Sequence, residues 1–185
     1  MKKAVTSREA ILAASRKLVM ESGLQAVNMR TVASACGVAV GSVYNYFSSK
    51  TELLTATVEE VWKEIFHMSE HSSQFADFAD SAAWLFERIQ DGSRKYPGFF
   101  TLHSMSFAAG EKEQGRRMME QYFGHIKQEL LHVLDNDHKI KPDVFNENLT
   151  RESFIDFVFM NVTSLMLEKK RDCRSLLEII RRILY

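Results

Sequence analysis

The sequence contains only two prolines, Pro97 and Pro142, among its 185 residues, and this scarcity constrains the fold more than any other feature. Proline breaks helices, so long stretches without it are free to be helical throughout. Apolar residues recur at spacings of three and four, and no stretch shows the sustained alternation of a half-buried strand. The sequence therefore predicts an all-α fold, in which the later helices cover about 74–95, 98–109, 113–135, 146–169 and 172–185.

Helix start and end signals divide the first fifty residues into three short helices. Thr6 or Ser7 can cap a first helix that ends at Gly23, and Asn28 can cap a second. Gly37 then follows, in a turn of three or four residues that leads into the segment GSVYNYF. Two short helices joined by such a turn predict a helix-turn-helix, whose second helix lies in the DNA major groove.

Within GSVYNYF, Val43 and Phe47 are four residues apart and can anchor one face of the helix to the first two helices. The remaining side chains are short and polar, or aromatic with a hydroxyl group. Asn45 can pair with adenine, Ser42 can serve any base, and tyrosine hydroxyls and a following lysine reach phosphate oxygens. Gly41 would let the backbone approach DNA closely.

The run NMRTVASACGVAVGSVYNYFSSKTELL, which starts at Asn28, resembles the DNA-binding segment of the TetR/AcrR family of bacterial transcriptional regulators. Over about 25 residues the matches to the family pattern are Val32, Ala33, Gly37, Val38, Gly41, Tyr44, Phe47, Ser49, Lys50 and Leu53. The resemblance implies a homodimeric, usually repressing regulator. It also implies a three-helix DNA-binding domain, expected over residues 1–50, and a larger helical effector-binding and dimerisation domain over residues 51–185.

The resemblance also implies roles for single residues. The tyrosine and lysine of the family motif commonly contact the DNA backbone, and several neighbouring positions become candidates for base or phosphate contact. The expected DNA-binding residues are Asn28, Val40, Gly41, Ser42, Tyr44, Asn45, Tyr46 and Lys50. Lys, Arg or Pro is frequent in the family where this chain has Val40, so the reading surface is poor in guanine-reading side chains and suits a thymine methyl group. Any one of these side chains could instead pack on the next helix or stay solvated.

The net charge of zero hides an asymmetry along the chain. Residues 1–50 carry seven Lys or Arg and two Glu, a net charge of +5, whereas the remainder carries 17 basic and 22 acidic residues, a net charge of −5. A basic amino-terminal part next to an acidic body suggests that only the first part faces a polyanion.

The body after residue 50 holds twelve of the thirteen phenylalanines, which fits either a packed core or a pocket for an apolar or aromatic effector. Polar groups within apolar stretches are better indicators of a pocket, because burial obliges them to find a partner. The candidate effector-binding residues are Phe66, Phe99, His103, Tyr122, Phe157 and Asn161.

Two carboxy-terminal helices are apolar around most of their circumference, so each must be buried on more than one side. We expect one side to pack on the chain's own core and the other on the same helices of a second copy. The expected interface residues are Phe154, Val158, Val162, Leu165, Leu176, Ile180 and Ile183. Such a dimer sets the two recognition helices about one DNA turn apart, roughly 34–36 Å, or a multiple of it, and predicts a palindromic operator on double-stranded DNA.

Two other functions, a zinc peptidase and a regulator that acts through a protein partner, are alternatives to DNA binding. His67, Glu70 and His71 fit the H-x-x-E-H pattern of some zinc peptidases, but the pattern is short and these residues could equally be polar groups near a helix end. We therefore expect no enzyme, no cofactor and no metal. The alternative of a different class is a helical regulator that acts through a protein partner without specific DNA binding.

The location expected from the sequence is the cytoplasm. No segment approaches the roughly 18 unbroken apolar residues of a membrane helix, and the start of the chain lacks the apolar core of a signal peptide. Cys36 and Cys173 form no metal-like spacing, so both are expected to be reduced and structural.

Overall fold

The computed structural model describes residues 6–66, 75–97, 99 and 112–185, and within them all regular structure is helical. In order, the described helices are α1 Arg8–Ser22, α2 Met29–Ala35, α3 Val40–Tyr44, α4 Lys50–Ile65, α5 Phe78–Lys95, α6 Lys112–Asp135, α7 Arg151–Leu167 and α8 Arg174–Leu184, with a short 3-10 helix at Leu24–Ala26. The predicted all-α class is confirmed. A further helix predicted over 98–109 lies almost wholly outside the described residues.

The chain forms two compact units. The first comprises Met1–Glu64 and Gly92–Glu120, and the second comprises Ile65–Asp91 and Gln121–Tyr185. A division into compact units does not show which residues bind DNA, so the functional domain boundary expected at residue 50 stays a prediction.

Side-chain caps begin the first two helices. The Ser7 hydroxyl accepts a backbone N–H of α1 at 3.1 Å, and α1 ends at Gly23, which has φ +80°. Asn28 Oδ1 accepts the backbone N–H groups of Arg30 and Thr31 at 3.0 and 3.1 Å, while the Thr31 hydroxyl accepts the N–H of Asn28 at 3.1 Å. This reciprocal pair is a capping box, which satisfies N–H groups that a helix start leaves without partners. The predicted caps at Ser7 and Asn28 are confirmed.

One carboxylate, that of Glu64 in α4, ties three parts of the first unit together. Its Oε2 lies 2.7 Å from Arg16 Nη1 of α1 and accepts the Tyr96 hydroxyl at 2.7 Å, while Lys95 at the end of α5 binds Oε1. Partial burial acts to raise the pKa of Glu64, but the hydrogen bonds from Lys95 and Tyr96 and the nearby positive charges lower it on balance. Burial and the bond to Glu64 raise the pKa of Tyr96. Glu64 is therefore ionised at neutral pH and holds α1 and the end of α5 against α4.

In the second unit, aromatic packing and one aspartate fix the start of α5. The Phe154 ring of α7 is 1% exposed, and its centroid lies 5.8 Å from that of Phe78 and 5.9 Å from that of Phe145. Asp137 accepts the backbone N–H of Phe78 at 2.9 Å and the hydroxyl of Tyr185. The first residue of α5 is thus bound to α7, to the end of α6 and to the residue that follows α8.

Helix α7 begins later than the sequence predicts, at residue 151 instead of 146. The Asn146 side chain accepts the N–H groups of Asn148 and Leu149 at 2.9 and 3.1 Å, a local turn that competes with helix. Thr150 then caps the helix by accepting the N–H of Ser153 at 3.1 Å. Polar side chains that bind their own backbone therefore displace the helix start.

The loop between α7 and α8 contains a backbone conformation that glycine favours. Lys169 has φ +54° and is the one non-glycine residue with a positive φ in the described part of the chain. Its N–H donates to Met166 O, and the N–H of Lys170 donates to Leu165 O, both at 2.9 Å. This is the left-handed helix end at which glycine is common, and a side chain there costs about 1–2 kcal/mol.

Lys169→Gly should therefore raise the free energy of unfolding by up to about 1 kcal/mol, since relief of the left-handed strain exceeds the added flexibility of the unfolded chain. Urea unfolding followed by circular dichroism measures this shift. Lys170→Gly is the matched control, because it makes the same exchange one residue later, where φ is not positive, and should destabilise. Destabilisation by both exchanges would contradict the assigned strain.

Candidate nucleic-acid interface

The turn between α2 and α3 depends on Gly37. This residue has φ +66°, its N–H donates to Ser34 O at 3.1 Å, and the N–H of Val38 donates to Ala33 O at 3.0 Å. These two bonds close the end of α2 in a left-handed turn that suits glycine. The chain reverses within residues 36–39 and enters α3, which gives the helix-turn-helix arrangement predicted from the sequence.

Two fully buried side chains anchor the third helix. Val43 and Phe47 are both 0% exposed, and the N–H groups of Tyr46 and Phe47 both donate to Val43 O at 3.0 Å. The turn after α3 therefore keeps Phe47 on the same side as Val43, so α3 is held by its inner face.

The predicted DNA-binding residues of α3 and the start of α4 lie mostly on the surface. Tyr44 is 52% exposed, Gly41, Asn45 and Lys50 are exposed, and the remaining candidates Val40 and Ser42 are half-buried. The structure thus brings these six residues together around one short helix, on the sides that Val43 and Phe47 leave open.

Gly41 has no structural reason to be glycine within the described part of the protomer. A Cβ atom at this position would meet no heavy atom within 4 Å, and φ lies outside the left-handed region. Glycine weakens a helix. Its absent side chain leaves open space beside the backbone of α3, into which the backbone of a ligand can come close.

The other two candidates, Asn28 and Tyr46, are engaged within the protomer. Asn28 is half-buried and caps α2, as described above. The Tyr46 hydroxyl donates to the Thr6 carbonyl at 2.6 Å, although the side chain is 39% exposed. Both residues therefore make hydrogen bonds that stabilise the helix-turn-helix itself.

Sequence reasoning missed three residues that surround α3, namely Thr6, Arg8 and Glu52. The Glu52 carboxylate accepts both the hydroxyl and the backbone N–H of Ser48 at 2.7 Å, and these bonds, with the charge of Arg8, lower the pKa of Glu52. The Arg8 guanidinium carbon lies 5.2 Å from the centre of the Phe47 ring. The spacing of Ser48 and Glu52, four residues apart, could have indicated their hydrogen bonds. The contacts of Thr6 and Arg8 join residues about forty positions apart, and no local sequence pattern indicates them.

The candidate effector residues that the structure describes differ in burial and in their contacts. Phe99 is 1% exposed and packs edge-on against Trp62 with centroids 5.5 Å apart. Phe157 is 43% exposed, and the Asn161 amide donates to the Phe157 carbonyl within α7. Phe66 and Tyr122 are half-buried, and His103 lies outside the described residues. A pocket formed by these residues stays a prediction.

A groove of about 430 Å³ exists elsewhere in the second unit, where the start of α5 meets the end of α6. Its lining residues are Phe75, Ala76, Asp77, His132, Val133, Asn136, Asp137, His138 and Lys139. None of the candidate effector residues is among them.

Most of the residues expected at the dimer interface are buried within the single chain, and a contact through them stays a prediction. Five of the seven are at most 5% exposed, namely Phe154, Val158, Val162, Leu176 and Ile180, and Leu165 and Ile183 are half-buried. When a helix is apolar on all sides, its sequence does not indicate which side faces the core of the chain. The residues expected at the interface lie mostly on the side that faces this core. The outer side of α7 presents Phe157, Met160 and Leu167, which are 43%, 66% and 61% exposed.

The remaining expectations concern metal binding, membrane spans and the two cysteines. His67, Glu70 and His71 lie outside the described residues. Across the residues that the structure describes, no three His, Cys, Asp or Glu side chains are grouped so as to hold a metal ion. Nor is any helix in that part of the chain long and apolar enough to span a bilayer. Cys36 and Cys173 are free thiols.

A glycine turn, a short helix anchored from inside and a polar outer surface define a helix-turn-helix DNA-binding segment. Residues 11–57 match the family model described as bacterial regulatory proteins of the tetR family. The transcriptional repressor KstR of Rhodococcus jostii is 41% identical to this chain over 58 residues, which are 31% of this chain and 27% of KstR. The match with KstR thus spans about a quarter of that protein's length.

Solved structures extend the likeness to nearly the whole fold. The multidrug binding protein EbrR, complexed with imidazole, superposes with a TM-score of 0.67 at 16% identity over 98% of this chain and 96% of EbrR. FadR of Bacillus subtilis, in complex with stearoyl-CoA, superposes with a TM-score of 0.60 at 20% identity over 94% of this chain and 95% of FadR. Residues 11–57 thus match the tetR family of bacterial regulatory proteins, and the resemblance of this segment that was inferred from sequence is confirmed.

Proposed function

We propose that the protein is a cytoplasmic, homodimeric transcriptional regulator that binds a palindromic operator and is released from it by a small molecule. The observation that carries the proposal is the placement of Tyr44, Asn45 and Lys50 on the surface around a short helix whose other side is anchored by Val43 and Phe47. The net charge of +5 on residues 1–50 supports a polyanionic partner for this part of the chain.

The side chains suggest a division of work on DNA. Lys50 and Tyr44 suit phosphate oxygens, since an ammonium group and a phenol both donate hydrogen bonds. Asn45 can pair bidentately with adenine, and Ser42 can serve more than one base. Val40 fits a thymine methyl group, so the proposed operator half-site is rich in A·T pairs.

For the dimer we propose the outer side of α7 as the contact. Phe157, Met160, Ser164 and Leu167 follow spacings of three, four and three, which line one stripe of a helix, and all four are exposed. Ile179 of α8 is 46% exposed and apolar as well. Packing this stripe against a second copy removes it from water and gives a two-fold axis that a palindromic operator matches.

The proposed effector is apolar or aromatic. EbrR and FadR share the fold and bear a bound imidazole and stearoyl-CoA in their structures, which supports a ligand-binding role for the helices after residue 65 in this chain. Release from DNA requires that the effector bind one conformation of the dimer more tightly than the operator-bound one.

The direct test is selection of bound duplexes from a random DNA pool by the purified protein, repeated at two salt concentrations. An enriched palindrome, with binding that weakens steeply at higher salt, is the expected result. Binding that selects no sequence and is insensitive to salt would exclude the proposal and favour a regulator that acts through a protein partner.

Lys50→Ala and Asn45→Ala should weaken DNA binding in different ways. Loss of one phosphate contact by Lys50→Ala should lower affinity for all duplexes alike and reduce the slope of log K against log salt by about 0.9. Asn45→Ala should relax discrimination at one base pair, at a cost of about 1–3 kcal/mol. Fluorescence anisotropy with the selected duplex and its single-base variants measures both effects. Lys63→Ala is the control, because Lys63 lies on the same helix and pairs with Glu59 at 3.0 Å.

Gly41→Ala should stabilise the protein yet weaken its binding to DNA. Alanine raises helix stability by about 0.5–1 kcal/mol over glycine, while the added methyl group occupies space at the proposed DNA surface. Gly124→Ala in α6 is the matched control, because a Cβ there also meets no heavy atom within 4 Å. It should stabilise the protein and leave DNA affinity unchanged. Thermal unfolding and anisotropy titrations compare the two, and equal DNA affinities would remove Gly41 from the interface.

Met160→Glu should shift the protein from dimer to monomer by placing a charge in the proposed contact stripe. Sedimentation velocity at micromolar concentration measures the shift. Met20→Glu is the control, since Met20 is also an exposed methionine, at 42%, but lies on α1. A wild-type monomer, or a Met160→Glu dimer as tight as wild type, would contradict the proposed contact.

A further inference from the structure

The recognition helix is too short to hold its own orientation. Helix α3 comprises five residues, Val40–Tyr44, and a helix of little more than one turn is not stable by itself. Its direction relative to a bound ligand is therefore set by the groups that hold its two ends. Gly37 and α2 hold the amino-terminal end, so the question is what holds the segment that follows Tyr44.

The start of α1 holds that segment. The Tyr46 hydroxyl donates to the Thr6 carbonyl at 2.6 Å, a contact between residues forty positions apart. Thr6 directly precedes Ser7, whose hydroxyl and carbonyl cap the first turn of α1 at 3.1 and 3.0 Å. The acceptor of the Tyr46 bond is thus carried by a defined helix start.

A second contact lies beside the first. The Arg8 guanidinium carbon is 5.2 Å from the centre of the Phe47 ring, which is itself 0% exposed. A guanidinium over an aromatic face is attracted by the ring, so Arg8 covers the inner anchor of the recognition segment. Thr6, which lies just before α1, and Arg8, the first residue of α1, thus contact Tyr46 and Phe47.

The hydrogen bonds of their hydroxyl groups distinguish Tyr44 from Tyr46. A phenol has one proton to donate, and phosphate ester oxygens only accept. The Tyr46 proton is already donated to Thr6, so a bond from Tyr46 to phosphate would break the contact that holds the segment. Tyr44 is 52% exposed, and its hydroxyl makes no hydrogen bond to any of the described residues, so its proton is available.

We propose that Tyr46 is a positioning residue: by its bond to Thr6, and with Arg8 over Phe47, it fixes the recognition helix to α1 and does not itself contact DNA. Tyr44 then is the tyrosine that donates to the DNA backbone. This inference rests on the proposed DNA-binding function and assigns different roles to two tyrosines that are both among the DNA-binding residues expected from the sequence.

The paired variants Tyr46→Phe and Tyr44→Phe test the assignment, because each removes one hydroxyl group and nothing else. Three quantities are compared with wild type: thermal unfolding of the free protein, amide exchange at the start of α1, and affinity for the selected duplex and for a scrambled one. Affinities are taken from the folded, active fraction, so that a loss of folded protein does not count as a loss of affinity.

For Tyr46→Phe we expect a lower melting temperature and faster exchange at the start of α1 without DNA. Its affinity for the selected duplex should fall about fivefold to tenfold, the size of one neutral hydrogen bond, while affinity for the scrambled duplex changes less than about twofold. For Tyr44→Phe we expect unchanged unfolding and exchange, and an equal loss on both duplexes, because a backbone contact carries no sequence information.

Tyr46→Phe that weakens both duplexes equally and leaves the free protein unchanged would overturn the assignment. So would a destabilised Tyr46→Phe protein whose active fraction binds both duplexes like wild type, since the bond would then be structural only. If wild-type protein selects no duplex, the proposed function fails first. Unfolding and exchange of the free protein then decide on the Tyr46–Thr6 bond alone, and no change in either would refute it.

Discussion

The burial of Val43 and Phe47 is the constraint on which the proposed DNA-binding surface depends. Both side chains are 0% exposed, and together they fix the rotation of α3 about its own axis. Once that rotation is fixed, the helical period decides that Tyr44 and Asn45 face away from the core. A larger or smaller side chain at Val43 or Phe47 would change the orientation of α3 and thereby displace all of its outer side chains together, although none of these is itself substituted.

Helix α1 connects the recognition segment with the charge cluster around Glu64. Its start carries the Thr6 carbonyl that accepts the Tyr46 hydroxyl, and two turns later Arg16 pairs with Glu64, which also binds Lys95 and the buried Tyr96. All these contacts lie within the first unit. A chain of defined polar contacts thus links the end of α5, through Glu64 and Arg16, to α1 and the residues that follow α3.

Local signals in the sequence predicted local structure well, as the caps at Ser7 and Asn28 and the turn at Gly37 illustrate. In each case the side chain or the missing side chain acts on backbone groups a few residues away, so the cause is visible in the sequence. The Tyr46–Thr6 bond joins residues forty positions apart, and no spacing rule reports it. In α7, apolar residues occur on all sides, so the sequence does not indicate which side faces the chain's own core, and the expected interface residues Phe154 and Val158 are buried within the chain.

The exposed stripe on α7 and the shortness of α3 have a common explanation in a dimer. With Ser42 and Asn45, the residue that follows the helix, as its proposed base-reading groups, a five-residue helix contacts few base pairs. Each pair contributes only about 1–3 kcal/mol of discrimination. One such helix cannot separate an operator from the many other sites of a genome. Two helices fixed by a two-fold axis read twice as many pairs. In the dimer proposed above, burial of Phe157, Met160 and Leu167 between the two copies is the apolar contact that holds that axis.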